Sequence, residues 1–325
     1  MNIWTVIDLN LFRMKVLFIS SYLFGYLDYA VEEMKRQGHE VTYLNYDRTP
    51  FEYVYPSKFM HLISGAKKLA GVNEKKEFRH RYLKNNLKDQ KFDKTIIIHG
   101  QYLLDKSPLF LKSISGEYIA FLFDGLGKMP RQRNITPFFD KIYSYDPEDC
   151  GKENFHFLTN YIPTENYRSE SYEYLVYNIS SLDHRLETLK KFAEYFNQHG
   201  ISYEFRLVNS KLKELENFQI HSKRIDQKEI MPQVQKAKIL LDISRSDQTG
   251  LSFRPFEALG NDKKLITNNP EIKKMDFYNP ENIWVTEADE ISIPESFFNT
   301  GYVKVPEEIY EKYTVQSWVK RILNT

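Results

Sequence analysis

Arg254 and Glu257 are the two residues whose types and spacing most directly suggest chemistry. Side chains three positions apart on an α-helix lie on one face, so these two groups are predicted to lie side by side. An arginine offers forked N–H donors to phosphate, and the free backbone N–H groups at the start of a helix also favour an anion. The spacing therefore predicts an anion site where a helix begins.

The surrounding segment, residues 239–269, reads as strand, polar turn, helix and second strand. Residues 239–243 are almost wholly apolar, as expected of a parallel strand that is buried on both faces. Polar residues and Gly250 interrupt the run, a helix is predicted from Phe253 to Leu259, and residues 265–267 suit a further strand. This order places a ligand site at the carboxyl edge of a sheet.

The stretch TGLSFRPFEALGNDKKLIT resembles the donor-nucleotide segment of GT-B glycosyltransferases. In that family a Gly-rich turn precedes a helix with an acid-Ala-Leu/Met triplet, matched here by Glu257, Ala258 and Leu259. The resemblance implies that Glu257 accepts hydrogen bonds from ribose hydroxyls, that Arg254 faces a diphosphate, and that Thr249 and Gly250 belong to the nucleotide site. The KKLIT and DFYN segments that follow are similar to those of lipopolysaccharide-core and capsule enzymes.

The resemblance further implies an α/β fold of two Rossmann-like domains whose parallel sheets face each other across a cleft. Residues 1–165 would form the acceptor-side domain and residues 166–325 the nucleotide-sugar domain, with a C-terminal helix that crosses back. The nucleotide-sugar is a donor substrate, and no cofactor is expected. Thr249 stands where retaining members of the largest such family carry a second acid, so the stereochemistry stays open.

Composition is consistent with a cytoplasmic two-domain enzyme. The 325 residues suffice for about two domains, and 45 basic against 44 acidic residues provide no overall field that would attract nucleic acid. The single cysteine, Cys150, precludes an internal disulfide and fits a reducing compartment. No apolar run approaches the ~20 residues that span a bilayer. Met14 is a candidate start, because a strand-like run follows it.

Two polar residues that follow predicted strands in the first half are candidate catalytic groups. His99 follows the run ending at Ile98, and Asp124 follows residues 118–123. Either side chain could take the proton from an acceptor hydroxyl in an inverting transfer. The alternative is a structural role for both, since Asp-Gly is a common turn pair and a single histidine after a strand is often structural.

The second half offers further candidate nucleotide-binding residues. A strand is predicted at residues 174–178 and a helix from Arg185 to Phe196, and the resemblance places Ser180, Ser181 and Arg185 beside the donor phosphates. The alternative to phosphate binding is that a serine only caps the helix and that the Arg185 side chain is solvated. The resemblance also places His221 near the base. Residues 310–323 are predicted to form one amphipathic helix.

Residues 59–94 combine an apolar, aromatic helix with a strongly basic one. Such a segment would suit peripheral contact with the anionic inner face of a plasma membrane, although solvated surface helices explain the same pattern. No metal-binding motif is present.

The combined prediction is a metal-independent glycosyltransferase that acts on a glycan or lipid-linked glycan acceptor. A non-catalytic GT-B-like module and a nucleotide-sugar epimerase remain as alternatives. The alternative for Glu257 is that it is a solvated acid in the first turn of the helix, where its charge favours the helix dipole.

Overall fold

The computed structural model describes residues 13–164, 171–223, 225–245 and 249–324. Contacts divide these residues into two compact units. The first unit contains residues 13–22, 27–122 and 131–142, and the second contains the described residues of 23–26, 123–130 and 143–324. The boundary predicted between residues 165 and 166 falls outside the described residues and stays a prediction.

The strands of the described ranges are β1 (Lys15–Ser20), β2 (Glu40–Asn45), β3 (Phe92–Ile97), β4 (Ser115–Leu122), β5 (Lys141–Ser144), β6 (His156–Phe157), β7 (Tyr174–Ser181), β8 (Tyr203–Val208), β9 (Gln219–His221), β10 (Ala237–Asp242), β11 (Lys264–Thr267) and β12 (Ile283–Val285).

The α-helices are α1 (Tyr26–Arg36), α2 (Lys58–Leu69), α3 (Glu74–Leu87), α4 (Ser107–Ser113), α5 (Pro147–Glu153), α6 (Leu186–Gln198), α7 (Gln227–Gln235), α8 (Phe253–Gly260), α9 (Glu295–Asn299), α10 (Glu307–Tyr310) and α11 (Val315–Leu323). Among them, no helix is long and apolar enough to cross a membrane.

The strands form two parallel sheets of six strands each. The first has the order β2-β1-β3-β4-β5-β6 and the second the order β12-β11-β10-β7-β8-β9. In the second sheet the order reverses between β7 and β10, and such a reversal opens a crevice at the carboxyl ends of the strands. The predicted α/β class with two Rossmann-like domains is confirmed.

The second sheet is buried on both faces. Ile239 and Leu241 of β10 belong to the core that packs under α6, whereas Leu240 belongs to the core around Phe256 of α8. Because neighbouring side chains of a strand point to opposite faces, an uninterrupted apolar run is what such a strand requires. The continuous run in residues 239–243 thus explains why β10 lies at the centre of the sheet.

A glycine with a positive φ follows each of two helices, α1 and α6. Gly38, just after α1, has φ of +91°, and Gly200, just after α6, has φ of +65°. These left-handed conformations are open to glycine at little cost, which is why both helices end there.

The prediction of one continuous helix over residues 310–323 is wrong. The α10 helix ends at Tyr310, a 3-10 turn covers Glu311–Tyr313, and α11 begins at Val315. Thr314 adopts an extended conformation, with ψ of 155°, and its hydroxyl accepts a hydrogen bond from the Ser317 backbone N–H at 3.3 Å. Thr314 is therefore an N-cap, and apolar periodicity alone did not reveal the interruption.

Candidate functional site

A cavity of about 440 Å³ lies in the second unit at the reversal of strand order. Its wall includes the ends of β7 and β10 and the start of α8, together with Phe24, Tyr26, Phe123, Asp124 and Lys128. Open α/β sheets bind ligands at this place, because strand ends and helix N-termini converge there. The predicted residues Asp124, Ser180, Ser181, Arg185 and Arg254 all line this cavity.

Two arginines of the cavity share one aspartate. Arg185 donates to both oxygens of Asp183, with Nε to Oδ1 at 2.9 Å and Nη2 to Oδ2 at 2.9 Å. The Nη1 of Arg245 lies 3.4 Å from the same Oδ2. Burial opposes ionisation of Asp183, but the hydrogen bonds and charge of Arg185 outweigh it and hold the pKa of this carboxyl below its ordinary value. The aspartate therefore fixes two cations at the cavity wall.

The predicted pairing of Arg254 with Glu257 is present, and both side chains are buried. The guanidinium Nη1 of Arg254 donates to Glu257 Oε2, and its Nη2 donates to the carbonyl of Ile179 at 3.2 Å. The Tyr26 hydroxyl donates to Glu257 Oε1 at 2.5 Å. Glu257 is 0% exposed, so the alternative of a solvated first-turn acid is wrong.

This geometry places Arg254, and not Glu257, at the cavity wall. Both carboxylate oxygens of Glu257 already accept hydrogen bonds from Arg254 and Tyr26. A ribose hydroxyl could donate to Glu257 only after the Tyr26 hydroxyl moves away. The ribose-binding role therefore stays a prediction, while the structure shows Glu257 orienting Arg254.

The start of α8 is tied to the end of β10 by Asp242. Ser252, the N-cap of α8, accepts a hydrogen bond from the Arg254 backbone N–H at 3.1 Å and donates its hydroxyl to Asp242 at 2.9 Å. The Thr267 hydroxyl donates to the other oxygen of Asp242 at 3.1 Å. Burial raises the pKa of Asp242, and these hydrogen bonds oppose that shift. The helix start is thus held rigidly beside the cavity.

Aromatic rings form the wall next to Arg254. The Phe253 ring stacks on Tyr26 with centroids 4.0 Å apart, and Tyr161 meets Phe253 edge-on at 5.2 Å. The centroid of the Phe123 ring lies 5.8 Å from that of Phe253, with 30° between the two ring planes. Apolar walls lower the local dielectric, which strengthens the attraction of nearby arginines for an anion.

Thr249 and Gly250 contact an aspartate that the sequence analysis did not select. The Asp146 carboxylate accepts hydrogen bonds from the Thr249 hydroxyl at 2.5 Å, the Thr249 N–H at 2.9 Å and the Gly250 N–H at 3.2 Å. A Cβ at position 250 would lie 2.6 Å from Tyr145, so glycine is required there. These donors serve Asp146 in this structure, and a nucleotide role for Thr249 and Gly250 stays a prediction.

Replacement of Asp146 by asparagine should destabilise the protein by about 1–3 kcal/mol at neutral pH, because charge-assisted hydrogen bonds are lost. Burial raises the Asp146 pKa, but hydrogen bonds from Thr249, Gly250 and Glu148 outweigh this and lower it. A lowered native pKa stabilises the protein above the unfolded value of about 3.9, and this contribution disappears as the pH falls through the native pKa.

Urea unfolding of D146N and of the unchanged protein, at pH 7 and at successively lower pH, measures this difference. The difference in the free energy of unfolding between the two proteins should have its full value at pH 7 and should disappear as the pH falls below about 4. The exposed Asp89→Asn substitution is the control and should show no such difference. A difference that is equal at every pH would contradict a contribution from the ionised carboxylate.

Asp124 lies at the cavity with a cation beside it. Its Oδ1 accepts a hydrogen bond from Lys128 Nζ at 2.6 Å, and the Asp124 side chain is 9% exposed. The chain turns here because Gly125 fits against Asp146 and Asp149, where an added Cβ would lie 3.2 Å from Asp146 Oδ2. The Asp124 carboxylate is thus held in a defined direction at the cavity wall.

The two candidate histidines lie elsewhere. His99 belongs to the first unit, is 3% exposed, and has its Nδ1 2.9 Å from the Ser21 hydroxyl. His221 ends β9, pairs in register with Val208, and is not part of the cavity wall described above. Burial lowers the His221 pKa. Neither placement tests the predicted roles, which stay predictions.

Several cavity residues escaped the sequence analysis. Arg245 follows β10 by three positions, and Asp183 precedes Arg185 by two, so position after a strand end could have identified both. Tyr26 and Lys128 carry no comparable signal, because their place at the cavity depends on contacts between segments that are distant along the chain.

Comparisons with known proteins rest on structure alone. No family model matches the chain, and no curated protein matches it significantly. Among solved structures, a trehalose-phosphate synthase from Burkholderia xenovorans shows a TM-score of 0.56 at 10% identity, covering 95% of this chain and 99% of that one. An α-glucosyltransferase in complex with UDP and DNA shows a TM-score of 0.55 at 12% identity, with coverages of 95% and 92%.

The chain has a GT-B fold. A UDP-N-acetylglucosamine 2-epimerase from Rickettsia bellii also resembles it, with a TM-score of 0.51, 11% identity and 96% of each chain covered. At such identities the likeness establishes the fold only. The structural neighbours of this GT-B chain include glycosyltransferases as well as this epimerase.

Proposed function

We propose that this GT-B protein is a glycosyltransferase that moves a sugar from a nucleoside diphosphate sugar to a glycan acceptor. The observation that carries the proposal is the cavity at the strand reversal of the second sheet, lined by Arg185, Arg245 and Arg254. A sugar diphosphate is an anion with several phosphate oxygens, and guanidinium groups are its most suitable protein partners.

The donor diphosphate is proposed to lie against these arginines and the start of α8. Ser180 and Ser181, at the end of β7, add hydroxyl groups to the same wall. The aromatic wall around Phe253 limits access of water, so that each charged contact gains strength. The diphosphate leaving group gains negative charge during transfer, and the fixed arginines would stabilise that charge.

Asp124 is the proposed general base. It would take the proton from the acceptor hydroxyl while the hydroxyl oxygen bonds to the anomeric carbon and the bond to the diphosphate breaks. Lys128 directs the Asp124 carboxylate through its hydrogen bond at 2.6 Å. No second acid stands at position 249, which favours direct displacement over a retaining route.

A surface polysaccharide or lipopolysaccharide is the proposed acceptor class. Support comes from the sequence, where the KKLIT and DFYN segments follow the candidate donor helix as in enzymes of that kind. The proposed reaction needs no metal, because arginines can neutralise the leaving diphosphate.

A thermal-shift screen against UDP, GDP, ADP, CMP and dTDP, each alone and as a sugar conjugate, tests the donor site. One nucleotide should raise the melting temperature, since a ligand that binds only the native state stabilises it. Calorimetry with that nucleotide should then show about tenfold to hundredfold weaker binding for Arg245→Ala, because a charge-assisted hydrogen bond to phosphate is lost.

Arg81→Ala is the control, since Arg81 is an exposed arginine on α3 and outside the cavity wall. It should bind the nucleotide as tightly as the unchanged protein. No shift with any nucleotide, or equal affinity for R245A, would contradict the proposed donor site.

An epimerase is the second candidate, favoured by the structural likeness to the Rickettsia enzyme. NMR of a nucleotide-sugar incubated without acceptor separates the two. A new epimer of the intact nucleotide-sugar would identify an epimerase. Acceptor-dependent release of nucleoside diphosphate would identify a transferase, and nucleotide binding with neither product would indicate a non-catalytic module.

A further inference from the structure

The α2 helix of the first unit leaves an apolar face uncovered. None of its twelve residues is buried. Phe59, Leu62 and Leu69 are 69%, 76% and 93% exposed. With Ala66 they recur at helical spacing, so they share one face of the helix. A helix that exposes its apolar side chains in this way has a surface available for a partner.

Large apolar side chains are concentrated around this helix. Val54, which precedes it, is 69% exposed, and Val72, which follows it, is 47% exposed. We call these five side chains the α2 patch (Val54, Phe59, Leu62, Leu69 and Val72). Half of the ten strongly exposed large apolar residues among those described fall within residues 54–72. Scattered single residues of this kind are ordinary, whereas a contiguous group marks an interaction site.

The charge around the α2 patch is positive. Residues 53–73 contain no aspartate or glutamate but contain Lys58, Lys67 and Lys68. Lys67 pairs with Glu74 at 2.5 Å, while Lys58 and Lys68 are exposed. An exposed apolar stripe on a helix that also carries exposed lysines complements a surface that is apolar beneath a layer of anions.

A second group of cations adjoins the start of α3. Burial lowers the pKa of Lys76, Asp105 opposes this, and the positive charges of Arg131, Lys68 and Arg79 lower it further. The positive charges around Lys76 extend the basic surface beyond α2 and favour an anionic partner.

We propose that the α2 patch docks on the surface of an anionic lipid bilayer. Phe59, Leu62 and Leu69 would enter the boundary between headgroups and acyl chains, and Lys58 and Lys68 would contact lipid phosphates. The docking does not depend on the proposed transfer reaction. It would nevertheless bring the enzyme to a lipid-linked acceptor.

Flotation of the full chain with lipid vesicles tests the proposal. The protein should float with vesicles of phosphatidylcholine mixed with phosphatidylglycerol, and much less with phosphatidylcholine alone. Leu62→Ser/Leu69→Ser should weaken the binding by about tenfold or more, since two apolar side chains leave the interface. Lys58→Glu/Lys68→Glu should weaken it by a similar factor and reduce its dependence on salt.

Matched controls exist elsewhere in the chain. Leu109 on α4 is 61% exposed and lies outside the patch, so Leu109→Ser should leave vesicle binding unchanged. Lys88→Glu/Lys228→Glu, which reverses two other exposed lysines, should have little effect. Circular dichroism and melting temperature verify that each variant is folded.

The proposal is overturned if the protein stays with the bottom fraction for both vesicle types, or floats equally with both. It is also overturned if L109S reduces binding as much as L62S/L69S. Light scattering that shows a dimer, converted to a monomer by L62S/L69S, would assign the patch to a second copy of the chain.

Discussion

Replacement of Glu257 by alanine should lower the free energy of unfolding by about 3–5 kcal/mol, because it leaves the buried Arg254 guanidinium without its carboxylate. The Arg254 side chain is 11% exposed and Glu257 0%, so water from the cavity replaces the lost partner only in part. The Tyr26 hydroxyl loses its acceptor as well. Urea unfolding with a shared slope for both proteins measures the effect.

A double substitution separates the ion pair from general damage to α8. In Arg254→Met/Glu257→Ala the cation is removed together with its partner, so the double variant should be more stable than E257A alone. Glu187→Ala is the control, since Glu187 is likewise a helical acid three residues from a basic partner but is 74% exposed. The free energies of unfolding of E257A, of R254M and of the double variant are compared. If the losses in the two single variants simply add in the double variant, the ion pair does not act as a unit.

Nucleotide affinity gives a second measurement on the same variants. If Glu257 holds the ribose, as the family resemblance implies, E257A should bind nucleotide about 1–3 kcal/mol more weakly. If Glu257 acts only by orienting Arg254, the same loss should appear in Arg254→Met. The double variant should then show no additional loss of affinity beyond R254M.

Replacement of Asp124 by asparagine should lower kcat by about a hundredfold to ten-thousandfold and leave the donor Kd unchanged. Asparagine keeps nearly the shape of aspartate but cannot accept the acceptor proton at neutral pH. Because Asp124 lies at the cavity wall with Lys128, the substitution removes the base without opening the cavity. Release of nucleoside diphosphate with saturating acceptor measures kcat, and calorimetry measures the Kd.

Asp289→Asn is the matched control for D124N. Asp289 also pairs with a lysine, Lys191 at 2.6 Å, but is 89% exposed and lies outside the cavity wall. The turnover of the Asp289→Asn variant should equal that of the unchanged protein. Equal turnover for D124N would remove Asp124 from the mechanism and would direct attention to another group as the base.

Local patterns predicted much of the fold. The β10 and β11 strands and the α8 helix lie close to where the sequence places them, because continuous apolar runs and a polar turn with a glycine are strong local signals. The α5 helix, between β5 and β6, was missed. Its seven residues have little apolar periodicity, and Asp146 caps it through side-chain hydrogen bonds that a pattern does not show.

The candidate site was predictable only where each residue follows a strand or begins a helix. Arg254 and Asp124 were found by this rule, the family resemblance supplied Ser180, Ser181 and Arg185, and all five residues line the cavity. The hydrogen bond between Tyr26 and Glu257 joins residues 231 positions apart, and that between Asp146 and Thr249 joins residues 103 apart. Such partners are selected by tertiary packing, so the sequence alone could not show that they occupy Glu257 and Thr249.

The C-terminal helix α11 is connected to the cavity through side chains. Trp318 packs on Tyr161 with centroids 5.1 Å apart, the Tyr161 hydroxyl donates to the carbonyl of Tyr26 at 2.7 Å, and Tyr26 contacts Glu257. Removing residues 314–325 to obtain a shorter protein would therefore withdraw the support of an aromatic wall and of a buried cation. Limited proteolysis in this stretch should inactivate the protein while most of its chain stays intact.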